Sequence, residues 1–329
     1  MTDLDHAAEQ RRDHLAGMLA QPLNIKVQRA IATLTRFVMD RGGEDKVYIS
    51  FSGGKDSTVL LHLTRMIFPN IKAVYCNTGL EFPMINDFVD KLQEEWGNID
   101  IIKPKMSFKQ VVEKFGYPAI SKETSQRVRD FHTLRDTAKT KQLRFEQLKD
   151  TKWSPYLAED APRIGDRCCH KLKKEPFKAF EKEMGLSPIT GVMAHESSLR
   201  KQQYIRNGCI AFSDGRHQAK PLSLWTDADI WEYIEKYNVP IADIYKEEGI
   251  TRTGCIFCLY GLHIKQESQK LVVLKRLHPK MYEYVMSTLG AAKHIDFMVK
   301  NIKNVSFVPE VLEDVERIVS EPKPESSGS

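Results

Sequence analysis

The chain has 329 residues, of which 41% are hydrophobic and 28% charged, with a formal net charge of +5; this is the composition of a folded globular protein, and it excludes a disordered or fibrous one. Its length allows a large core, in one big domain or one and a half. No apolar stretch approaches the ~18 residues that a membrane span needs, and the charged N-terminus "MTDLDHAAEQRRDHLAGMLAQ" lacks a signal-peptide apolar run, so the sequence reads as cytoplasmic with no membrane partner.

Residues 5–42 read as one or two helices ending at the C-cap signal Gly42-Gly43. The apolar run Val47, Tyr48, Ile49 and Phe51 reads as a buried strand, and Val59, Leu60, Leu61 and Leu63 as the helix after it. Between them lies "SGGKDS", residues 52–57. A glycine-rich turn from strand to helix aims backbone N–H groups and the positive end of a helix dipole at one spot, which suits a phosphate or pyrophosphate. The common phosphate loop does not fit, because Asp56 stands where a hydroxyl should follow Gly54-Lys55 and Ile49 takes the place of its first glycine. No G-x-G-x-x-G fingerprint occurs at this turn.

"IKAVYCNTG" is a second strand, "EFPMINDFVDKLQEEWG" a second helix, and "NIDIIKP" a third short strand. This alternation predicts a mostly parallel twisted sheet with helices on both faces, an α/β fold. Ligands of such sheets bind outside the carboxyl ends of the strands, where both the "SGGKDS" turn and "NTGLEFP" would lie. Residues 107–185 are polar and helical, "SPITGVMA" over 187–194 is a further core strand, and "WTDADIWEYIEKYNVP" is an amphipathic helix capped by Thr226 or Asp227 and stopped by Pro240. Residues 121–153 carry nine Lys or Arg against five acids, and 163–182 seven against three. Such a surface over 121–182 suits a nucleic acid, and it equally suits solvated helix faces. The six cysteines do not make a disulfide framework in a cytoplasmic chain: Cys168 and Cys169 are adjacent, Cys255 and Cys258 form a CxxC, and Cys76 and Cys209 stand alone.

"SFSGGKDSTVLLHL" followed by "VYCNTGLEFP", with "GVMAHESSLR", "PLSLWTDADIWEYI" and "RCCHKLKKEP", resembles the phosphoadenosine phosphosulfate (PAPS) reductase family of the ATP pyrophosphatase superfamily over roughly residues 25–300. "GYPAISKE" and "TGCIFCLYGLH" look most like its poorly characterised bacterial, phage and mobile-element members. The resemblance implies that Ser52, Gly53, Gly54, Lys55, Asp56 and Ser57 hold the phosphates of an adenine nucleotide, ATP or a sulfonucleotide, with Thr78 and Gly79 completing the pocket. Asp56, which has no use for a phosphate itself, would orient the loop or a magnesium ion, and Glu81 either binds magnesium or starts a helix. Lys122 and Arg200 would neutralise the phosphate or sulfate end of the substrate, with a surface role as the alternative for Lys122. Lys55, Asp56 and Arg200 are the expected catalytic residues. The implied plan is a helical leader over 1–24, a nucleotide-binding domain over 25–240 with a helical insertion at about 107–185, a helical C-terminal region over 241–318, and a disordered tail over 319–329.

Cys168, Cys169, Cys255 and Cys258, with 85 residues between the pairs, reproduce the pattern of the family's iron-sulfur members. Adjacent thiolates reach one tetrahedral zinc ion with difficulty and two irons of one cluster with ease, so the resemblance implies a [4Fe-4S] centre, with structural zinc the alternative. Arg167, His170, Lys171, Lys173 and Lys174 would offset the charge of its thiolates. Sulfonucleotide reductases attack sulfur with a cysteine of an ECGLH-like tail, whereas here "LYGLH" puts Tyr260 at that place and no cysteine follows Cys258. The expectation is therefore ATP cleavage between the α and β phosphates, linked to sulfur transfer. A reductase using Cys76, Cys209 or an external thiol, and a non-catalytic accessory that binds nucleotide and a protein partner, are the alternatives.

Overall fold

The computed structural model describes residues 3–213 and 216–320. Eight strands lie among them: β1 (Val47–Phe51), β2 (Lys72–Cys76), β3 (Ile99–Ile102), β4 (Ala119–Ile120), β5 (Ser187–Ile189), β6 (Ile210–Ser213), β7 (Arg216–Ala219) and β8 (Leu259–Tyr260). The chain forms two compact units. The first comprises residues 1–77, 83–103 and 176–245, and the second comprises 78–82, 104–175 and 246–329.

The first unit is built on a six-stranded sheet in the order β3-β2-β1-β5-β7-β6. All neighbours are parallel except β6 with β7, so the expected parallel α/β architecture is present. β1 to β3 step one way from the centre and β5 lies on the other side of β1, so the order reverses between β1 and β5. That reversal is where an open parallel sheet leaves a crevice at its carboxyl edge.

Both faces are covered, which is why the strands read as continuous apolar runs. Tyr48 stacks on Phe177 and meets Phe180 edge-on, with Val74 and Leu186 in the same buried cluster, so helix Glu175–Met184 covers one face. On the other, the Tyr75 hydroxyl donates to Asn86 of helix Pro83–Trp96. The leader is two helices, Asp3–Leu19 and Leu23–Arg41, and Leu15 packs with Ala194, Tyr204 and Leu224. The buried Lys26 ammonium meets Asp229 at 2.6 Å, tying the second of these helices to helix Asp227–Tyr237. That helix is capped by Thr226, whose side chain accepts the Asp229 N–H.

The expected strand over 187–194 ends at Ile189. Only Ile189 keeps a register partner on β7, Ala219, and Thr190 adds one last bond to the Ala219 carbonyl. A Cβ on Gly191 would lie 3.1 Å from the Asp56 carbonyl oxygen, so the chain leaves the sheet to press its backbone against the "SGGKDS" turn.

The second unit is mainly helical. Helices Phe108–Phe115, Lys122–Thr133 and Lys139–Leu148 precede the cysteine pair, and Gln269–Leu277, Ala291–Asn301 and Pro309–Ser320 follow the CxxC. Its one small sheet pairs β4 with β8 in parallel, matching Ala119 with Leu259 and Ile120 with Tyr260. Residues 104–175, which include most of the helical stretch expected at about 107–185, group with the C-terminal stretch. Residues 319 and 320, expected in a disordered tail, close the last helix, and 321–329 lie outside the described residues.

Candidate functional site

In the first unit the turn after β1 is assembled by its own side chains. Gly53 has φ +70, and a Cβ there would stand 2.7 Å from Ile85 Cγ2, so both the left-handed backbone and the packing demand glycine. The Ser57 hydroxyl donates to the Gly54 carbonyl at 2.9 Å and accepts the Ser52 N–H at 3.2 Å, while the two serine hydroxyls lie 2.9 Å apart. Ser52 and Ser57, expected as donors to a phosphate, are thus committed to shaping the loop.

Gly54 precedes helix Lys55–Arg65, whose first-turn amides project from the carboxyl end of β1. The Thr58 N–H returns to the Gly54 carbonyl, whereas the N–H groups of Asp56 and Ser57 have no acceptor among the described residues. Open amides at a helix start form an anion cradle, and the helix dipole adds to it.

The Lys55 side chain is 1% exposed, and its ammonium lies 2.8 Å from Asp56 and 2.5 Å from Asp227. Burial opposes the charge, but the hydrogen bonds from Asp227 and Asp56 overcome it and hold the lysine above its ordinary pKa. Asp56 therefore anchors Lys55, and a second carboxylate, unassigned from the sequence, shares that role. The Lys55 N–H donates to the Tyr245 hydroxyl at 2.9 Å, and the Trp231 ring lies 5.8 Å from Lys55 Nζ. Asp227, Trp231 and Tyr245 all come from the stretch 226–246, more than 170 residues from the turn. No local motif in the sequence links them to it. Arg200, in helix Ser198–Asn207, pairs with Glu196, whose carboxylate also accepts the Met193 N–H.

The second unit holds the remaining candidates. The Thr78 hydroxyl donates to Glu81 at 2.7 Å, and the N–H groups of Thr78 and Leu80 add bonds of 3.2 Å to the same carboxylate, so Glu81 braces its own loop. Gly79, at φ +72, makes the bend. Lys122 opens helix Lys122–Thr133 with an exposed side chain that has no acidic partner among the described residues.

Cys168, Cys169, Cys255 and Cys258 are all free thiols, and burial, with neighbouring cysteines adding to it, raises the pKa values of Cys168, Cys255 and Cys258. Burial pushes the Cys258 thiol up to about 11, and burial followed by its three cysteine neighbours pushes Cys168 higher still. Lys173 sits beside them, 3.7 Å from Glu81. Desolvation opposes its charge, but Cys255 and Glu81 outweigh that and raise its pKa. It is placed by a π-helical stretch, His170–Lys174, immediately after the cysteine pair. Among the described residues, no group of three or more His, Cys, Asp or Glu side chains already stands in metal-holding geometry.

Tyr260, at the position of the reductase tail cysteine, donates to the Gly165 carbonyl at 3.0 Å, and the nearby cysteines add to the burial that raises its pKa. Of the two lone cysteines, Cys76 is buried at the end of β2, and burial raises the Cys209 thiol. In the basic stretch 121–153 five of the nine bases are ion-paired: Arg127 pairs with Glu123, Arg129 with Asp130 and Asp166, Lys141 with Asp136, Arg144 with Asp130, and Lys149 with Glu146.

Among characterised proteins, the chain is similar to an adenosine 5'-phosphosulfate reductase of Staphylococcus haemolyticus, 24% identical over 68% of this chain and 75% of that protein. A phosphoadenosine 5'-phosphosulfate reductase of Xylella fastidiosa is 24% identical over 71% and 82%. An uncharacterised protein of Methanocaldococcus jannaschii is 26% identical over 71% of this chain, which spans only 45% of that relative's length. Among solved structures, the PAPS reductase of Candida auris in complex with phosphate superposes with a TM-score of 0.43 at 17% identity, over 78% of this chain and 96% of that one. The FMN adenylyltransferase of Candida glabrata gives 0.41 at 16%, over 77% and 71%. No helix among the described residues is long and apolar enough to cross a membrane. Residues 46–260 match the phosphoadenosine phosphosulfate reductase domain, and the chain belongs to that family.

Proposed function

We propose that the protein is an adenine-nucleotide enzyme that cleaves ATP between its α and β phosphates and uses the resulting adenylate for sulfur transfer. The observation that carries this reading is the turn 52–57, where open amides at the start of a helix adjoin a buried, charged lysine. In the reaction an acceptor oxygen attacks the α phosphorus and pyrophosphate leaves. The first-turn amides and Lys55 stabilise the charge that grows on the leaving group. A sulfur nucleophile supplied from outside then displaces AMP. Asp56 and Asp227, both within reach of Lys55 Nζ, are the carboxylates that would hold magnesium against the leaving pyrophosphate. Arg200 is the proposed partner of the substrate's anionic end.

The four cysteines fit a [4Fe-4S] cluster, or alternatively zinc, by donor type and number. Cys168, Cys169, Cys255 and Cys258 would hold the group, with Lys173 offsetting part of its negative charge. When bound, such a cluster supplies an electron or sulfur relay. Tyr260 in place of the tail nucleophile argues against thiosulfonate chemistry, whereas the named reductase relatives keep a sulfonucleotide substrate as the second reading.

One experiment separates these readings. Anaerobically purified protein is incubated with magnesium and labelled ATP, with and without nucleic acid, in parallel with adenylyl sulfate and PAPS plus thioredoxin. AMP and pyrophosphate from ATP are expected. Sulfite from either sulfonucleotide would replace this reading with a reductase, and nucleotide binding without turnover in every arm would replace it with an accessory role.

A further inference from the structure

Tyr245 occupies part of the cradle itself. Its hydroxyl accepts the N–H of Lys55 at 2.9 Å, and Lys55 is the first residue of the helix whose next two amides remain open among the described residues. The phenol is held there by the Trp231 ring, which meets it edge-on at 6.0 Å and 86°. A hydroxyl oxygen accepting a first-turn amide does what a phosphate oxygen would do, without the charge. The geometry points to Tyr245 as a resident stand-in for one pyrophosphate oxygen: it satisfies the Lys55 amide while the turn is empty and must leave when the anion enters.

This inference rests on the reading of the turn as a pyrophosphate site and adds a competitor to it. An ionised acceptor makes roughly twice as strong a bond as a neutral one, so the exchange favours the anion, at the expense of the bond that Tyr245 gives up. Without that hydroxyl the buried Lys55 N–H has no partner in the empty state, and the anion gains the whole bond. Tyr245 is also the last residue of the first unit, and the chain runs on through 246–254 to Cys255. On this reading, displacing the phenol releases the start of that segment.

The test compares wild type with Tyr245→Phe, which keeps the ring and its packing on Trp231, by calorimetric titration with magnesium pyrophosphate and with ATP. Hydrogen exchange over residues 246–254 is followed in parallel, and thermal melts confirm that both proteins are folded. Pyrophosphate is expected to bind roughly three- to tenfold more tightly to the variant. Exchange over 246–254 should rise on ligand addition to wild type and be high already in the free variant. Equal or weaker binding by the variant, or exchange that ligand leaves unchanged in wild type, overturns the inference while the cradle stands. If neither folded protein binds pyrophosphate or ATP, the cradle reading falls and this inference with it.

Discussion

The turn 52–57 and the cysteine group meet opposite electrostatic problems. The backbone of the turn is in place without any ligand, because its amides are fixed by Gly53, by the serine pair and by a helix start, and such neutral dipoles are cheap to hold in place. Its one buried charge, Lys55, is matched by two carboxylates. The cysteine group is close but unformed. Burial, with neighbouring cysteines adding to it, raises the pKa values of Cys168 and Cys258, so a metal that binds them must displace their protons. An anion site can thus be pre-built from the backbone, whereas a multi-thiolate site is finished by what it binds.

The sharpest way to break this comparison is to remove a thiol. Cys258→Ala should reduce the iron or zinc of anaerobically purified protein to roughly a tenth or less, since metal sites depend on ligand count. Pyrophosphate affinity should stay within about twofold, because the turn lies in the other unit; a parallel loss of both would show the sites to be one. Lys55→Ala should weaken ATP or pyrophosphate binding roughly 10- to 100-fold, the worth of a charged hydrogen bond, with metal content unchanged. Affinity unchanged by that variant would mean that the amides alone make the cradle.

Gly53→Ala strains a backbone at φ +70 and drives a methyl towards Ile85, so it should cost about 1–3 kcal/mol in denaturant unfolding. A further effect concerns acid. Burial holds His294, packed on Tyr117, down to about pKa 3, below the ordinary histidine value. The unfolded chain therefore binds this proton first. Its stabilising contribution is complete above about pH 6.5 and is lost as pH falls towards 3, by up to ~1.4 kcal/mol per unit. His294→Leu should flatten the acid limb of stability in that window; a slope equal to that of wild type would show that the ring titrates normally.

How much of this the sequence discloses depends on the range of the interaction. β1, the turn and its helix follow from the consecutive residues 47–65, and the parallel sheet from alternating periods. Thr226 could be named as a cap for the same reason. The partnership of Lys55 with Asp227 and Tyr245 is invisible to any local pattern, because the fold creates it. The antiparallel pairing of β6 with β7 escapes notice because the strands are four residues each and Arg216–Ala219 is mostly polar. The basic stretch 121–153 misleads in a related way: the count of nine bases is correct, but folding sets five of them against acids of the same stretch, two at helical spacing and three not.

The interleaving of the two units also bears on biosynthesis. The cysteine-bearing unit is collected from three stretches separated by parts of the first, and its two cysteine pairs leave the ribosome 85 residues apart. At ordinary elongation rates that is roughly ten seconds during which Cys168 and Cys169 are made and their partners are not. Loading of any metal centre must therefore follow release of the last helices, and the nascent chain passes through an interval in which adjacent thiols are open to oxidation.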